Sequence, residues 1–90
     1  MAKITWKDQA TIEQERYEAK VQSVRQQRDK LLTETDWIVL RHKDEQENGL
    51  STTLTTEQYQ AWLDYRQALR DLPNGEGFDP YNVEWPEKPE

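Results

Sequence analysis

This 90-residue sequence predicts a mainly α fold: a two-helix hairpin with an extended C-terminal strap rich in proline and aromatic residues. Three observations carry that reading. Residues 11–35 contain neither Gly nor Pro, and their apolar side chains recur at helical spacing. A second helical pattern, "TTEQYQAWLDYRQALRDLP", stops at Pro73. Beyond it, Pro80, Pro86 and Pro89 interrupt "FDPYNVEWPEKPE" and exclude another helix there.

The expected elements follow in order. Residues 1–10 form an N-terminal arm with Ile4 and Trp6, and residues 11–89 form a single helical domain. Helix 1 spans about 11–35, where Thr11 and Gln14 have the spacing of a capping box. Its Ala10, Gln14, Tyr17, Val21, Val24, Arg28, Leu31 and Leu32 fall within about a third of the helix circumference. Tyr17, Val24 and Leu31 also repeat every seven residues, the spacing of a short coiled coil, which makes helix 1 a candidate homo-oligomer contact.

The link, 36–54, breaks this pattern. Ile38, Val39 and Leu40 favour extended structure, and Asn48-Gly49 followed by "LSTTL" suits a small β-hairpin between the helices. An irregular loop tip is the other reading. Helix 2 spans about 55–72, with Thr55 and Gln58 again at capping-box spacing. Trp62, Tyr65, Leu69 and Leu72 share one face within about 80°. They are expected to meet Val24, Leu31 and Leu32 in an antiparallel contact. Residues 73–89 are the strap, with Phe78, Tyr81 and Trp85 on a polyproline-like backbone.

Composition narrows function. The net charge is −6, and it is unevenly placed: residues 1–35 carry seven basic and six acidic side chains, residues 36–90 five and twelve. Such a chain lacks the positive field that nucleic acid or anionic lipid would require. Without cysteine there is no disulfide, thiol nucleophile or thiolate metal site. No apolar run is long enough for a signal peptide or a membrane span, so the simplest expectation is a cytosolic protein. Leu, Ile, Val and Phe total only sixteen, but four Trp and four Tyr supply large buried area, giving a thin, aromatic core.

Catalytic and metal chemistry find little to work with, and no cofactor is expected. His42 is the only histidine and sits in the charged stretch "RHKDEQE". "DEQENG" imitates the start of a calcium loop through Asp44, Gln46, Asn48 and Gly49, but the twelfth position is Thr55, which cannot supply the bidentate carboxylate. The arginines are more informative. Arg66 and Arg70 flank the apolar face of helix 2, and Arg28 lies within the stripe of helix 1. Buried guanidinium groups need partners, and Asp36, Asp64 and Asp71 are the candidates. One of these arginines is expected to lock the two helices in register.

Three blocks, "RDKLLTETDW" (28–37), "YRQALRDLP" (65–73) and "VEWPEKP" (83–89), together resemble the small tail assembly chaperone domain of bacteriophages. The resemblance covers about 25–89 with the blocks in order. It departs in the link, where the family's shorter, proline-containing connection is replaced by a longer one without proline. The resemblance singles out Arg28, Asp29, Leu31, Asp36 and Trp37, then Tyr65, Arg66, Leu69, Arg70 and Asp71, then Trp85, as structural or interaction residues, and the apolar face of helix 2 adds Trp62. It implies a non-enzymatic phage accessory protein that assists tail or tail-fibre assembly in the host cytoplasm. Its partner would be a tail or tail-fibre protein. A structural subunit of the virion tail and a protein that binds a host factor are the alternatives.

Overall fold

The computed structural model describes residues 7–90. Among these, α1 (Gln9–Glu47), α2 (Thr56–Asp71) and one 3-10 turn at Leu72–Asn74 are the regular elements, and there is no strand. The part of the expected arm that holds Ile4 and Trp6 lies outside the described residues.

α1 starts earlier and ends much later than the sequence pattern suggests. Its cap is Asp8, whose carboxylate accepts the Thr11 N–H at 2.7 Å, so Thr11 lies inside the first turn and is not the cap. The Thr11–Gln14 capping box does not form. Gln14 instead donates to Glu18 at 3.0 Å. At the other end α1 runs through Ile38, Val39 and Leu40 to Glu47, where a helix end near 35 and an extended link were expected. The reason is tertiary: Thr35, Ile38, Val39 and His42 are all buried on one side of α1, so packing against α2 overrides the β preference of a short apolar run.

The expected hairpin turn is a helix terminus. Gly49 has φ +67°, its N–H donates to the Gln46 carbonyl, and the Leu50 N–H reaches back to the Glu45 carbonyl at 2.9 Å. This is a Schellman motif, which needs the same left-handed glycine that a tight hairpin turn would use. The link therefore shrinks from 36–54 to about eight residues, 48–55. Glu45 ties it down, accepting from both the Thr53 N–H (3.1 Å) and its hydroxyl (2.8 Å).

α2 opens with a complete capping box: the Gln58 N–H donates to Thr55 Oγ1, and the Thr55 N–H donates to Gln58 Oε1. It ends at Asp71, and Pro73 sits in the 3-10 turn that follows, where its missing N–H costs nothing. Ile38, Trp62, Tyr65 and Leu69 form the core, with Leu31, Leu32 and Leu54 against it. Trp62 and Tyr65 meet edge to face, with centroids 5.9 Å apart. At the loop end of the seam, His42 stacks on Tyr59 at 3.8 Å. Val24 is buried but stands outside this cluster.

Beyond Asn74 the chain turns at Gly77 and at Asp79–Asn82, and 83–90 has neither helix nor strand. Asp79 organises the second turn, accepting from the Tyr81 N–H and the Asn82 amide. Pro80 is fully buried. Residues 80–85 share a groove of about 350 Å³ with Lys20, Ser23, Val24 and Gln27 of α1. Further on, Lys88 places its ammonium 6.0 Å from the Trp62 ring.

Candidate interaction surface

A binding surface depends on how rigidly the scaffold holds it, and one side chain fixes the two helices. Arg66 projects from the middle of α2 into the seam and is 9% exposed. One terminal nitrogen donates to the Leu32 carbonyl (2.8 Å) and to Thr35 Oγ1 (2.7 Å), and the other to Asp36 Oδ1 (2.7 Å). Thr35 can accept because its own proton goes back to the carbonyls of Leu31 and Leu32. A lysine could not satisfy three such acceptors with a planar fork. The contact sets α2 against α1 in one register and one rotation.

The other candidate arginines do not reach the seam. Arg28, expected inside the apolar stripe, turns to its neighbour Asp29 at 3.0 Å, and its side chain is 20% exposed. Arg70 is exposed, and its carbonyl accepts weakly from Asn74. Asp64 and Asp71, the alternative carboxylates, accept from Gln60 and Gln67 along α2 itself. Burial pushes the Tyr65 hydroxyl above its ordinary pKa, with the Glu34 carboxylate adding to the effect.

Once α2 covers one side of α1, the opposite side holds Trp37 and Leu40, 56% and 58% exposed. They lie three positions apart on a helix, hence side by side. The Arg41 guanidinium sits 4.9 Å from the Trp37 ring and holds the indole against the helix surface. Trp37 was singled out by sequence. Leu40 and Arg41 were missed because residues 38–47 were not read as helix, and only the helical angle places them beside Trp37. A second exposed aromatic group lies where the C-terminal segment crosses α1: Tyr17 and Tyr81, with centroids 6.4 Å apart, and Trp85, 38% exposed. Leu31 and Leu69 serve the core, with Trp62 and Tyr65.

No group of three or more potential metal ligands occurs among the described residues, and no helix there is long and apolar enough to cross a membrane. The arrangement is a braced helix pair displaying fixed aromatic and aliphatic side chains, the kind of surface that binding anchors use. The family model for phage tail assembly chaperone protein matches residues 21–90, which spans most of α1, all of α2 and the C-terminal segment. No curated protein and no solved structure matches the chain.

Proposed function

Because this chain belongs to the phage tail assembly chaperone family, we propose that it acts in the infected host cell as a non-enzymatic accessory protein that binds a phage tail or tail-fibre protein through the Trp37–Leu40 face of α1. The exposed Trp37, braced by Arg41 on a helix that α2 holds rigid, carries this reading. A large apolar side chain fixed before binding loses little entropy when a partner covers it. The C-terminal strap has a supporting role here. Its Pro80 is buried and its lysine lies over Trp62, which supports a part in holding the fold together.

The composition of purified mature virions tests the assembly role. A chaperone leaves its client when assembly ends, so the chain should be present in infected cells and absent from the finished particle. Its presence in virions at a fixed copy number would make it a structural subunit instead.

A further inference from the structure

Trp37 and Leu40 offer an apolar surface, and Arg41 adds a second chemistry to it. At about 100° per residue, Leu40 and Arg41 stand on either side of Trp37 along α1. Arg41 is half-buried, and its guanidinium lies 4.9 Å from the centre of the Trp37 ring, so the indole closes one flat side of it. Among the described residues no carboxylate is at ion-pairing distance from Arg41. Its Nε is shut away from solvent without a hydrogen-bond partner. The acids one turn further on do not supply one. Glu45 has both oxygens taken by Thr53, and Asp44 does not reach. A buried donor left unpaired is costly. α1 thus holds a planar cation against an exposed indole and gives it nothing to bind.

Resting on the reading that this face holds the client, we infer that the client segment carries an apolar side chain and, close beside it in sequence, a single carboxylate. The apolar side chain covers Trp37 and Leu40. The carboxylate accepts at the edge of Arg41, where a small tilt of the guanidinium brings Nε and a terminal nitrogen to its two oxygens. Arg41 is then a specificity-determining residue as well as a brace for the indole.

Charge limits the segment to one carboxylate at this point. The chain carries a net charge of −6 and would repel an acidic run. Between Lys30 and Asp44, within about 60° of Trp37, the exposed Lys30 balances Glu34 and Arg41 balances Asp44, so the face itself is neutral. A basic segment suits the overall field of the chain, but here it would set a cation against Arg41 and leave Nε unpaired.

Short overlapping peptides covering the tail and tail-fibre proteins of the same phage, titrated against the full chain, test this. The peptides that bind contain an apolar residue with Asp or Glu nearby. Changing that acid to its amide weakens binding to the wild-type chain about tenfold, as for loss of a charge-assisted hydrogen bond. In Arg41→Gln the acid and amide peptides bind alike. That ratio separates recognition from bracing, because a loosened indole weakens both peptides equally and leaves the ratio between them intact. An unchanged ratio in Arg41→Gln, wild-type binding indifferent to the amide, preference for basic peptides, or binding to no peptide at all overturns the inference. Capture of the co-expressed tail protein by Trp37→Ser then tells two failures apart. Lost capture leaves the docking face standing without this specificity, and retained capture removes the face as well.

Discussion

Arg66 and Asp36, thirty positions apart in sequence, are joined by an ion pair of 2.7 Å that closes the α1–α2 seam. The pair is asymmetric: the arginine side chain is 10% exposed and the aspartate 51%. Most of its value therefore lies in the arginine's bonds to the Leu32 carbonyl and Thr35 hydroxyl, which the aspartate does not make. Arg66→Met should cost about 2–3 kcal/mol, the range for buried hydrogen bonds to a charged group. Asp36→Asn should cost less than about 1 kcal/mol, as for a partly solvated pair. Urea unfolding of both variants checks the order, and equal losses would contradict it.

Trp62 is 6% exposed and packs edge to face on Tyr65 in the only cluster that spans both helices among the described residues. Trp62→Ala should cost about 3–5 kcal/mol, as for truncation of a buried large aromatic. A small domain has little more than that to lose. An unchanged urea midpoint would mean that the core lies elsewhere.

Glu45 makes the loop acid-sensitive. The Thr53 N–H and then its hydroxyl hold the carboxyl below its ordinary value of 4.5. A carboxylate with a folded value below its unfolded one stabilises the fold above the unfolded value. That contribution disappears as pH falls through the folded one. The 48–55 link should thus be held at neutral pH and loosen as pH falls below the ordinary glutamate value. An NMR titration of the Glu45 carboxyl should show a midpoint below 4.5 that returns toward it in Thr53→Val. A midpoint at or above 4.5 would contradict the contact.

Removal of residues 77–90 uncovers Val24 and takes away the buried Pro80 and the lysine above Trp62. The melting temperature should fall by about 5 °C or more, since each kcal/mol shifts a domain of this size by several degrees. Unaltered melting would show that the segment contributes nothing to the fold.

Local chemistry at α2 and the inter-helix ion pair were legible in the sequence. Thr55, Gln58 and Pro73 act within a turn of themselves, and a buried arginine beside an apolar face demands an acceptor wherever the fold takes it. Asn48-Gly49 was not legible. Its glycine supplies a left-handed residue, and a helix C-cap and a hairpin turn both require one. Ile38, Val39 and Leu40 misled for a related reason. Three apolar residues in a row carry β preference but no period, and only the buried face shared with Thr35 and His42 resolves them as helix. That error also hid the surface, because Leu40 and Arg41 join Trp37 only at helical spacing. Arg28 lies in the stripe by angle and is mostly covered, yet it pairs with the adjacent Asp29 and not across the seam.

The central claim is that the Trp37–Leu40 face holds a tail protein, and co-purification tests it most directly. The chain is co-expressed with the tail and tail-fibre proteins of its own phage, and capture is compared with that by Trp37→Ser. Trp37 lies outside the core and is 56% exposed, so the variant should melt at the wild-type temperature. It should nevertheless lose capture at least tenfold, as for a central aromatic anchor. Wild-type capture by Trp37→Ser, or equal loss of capture and of melting temperature, would contradict the account.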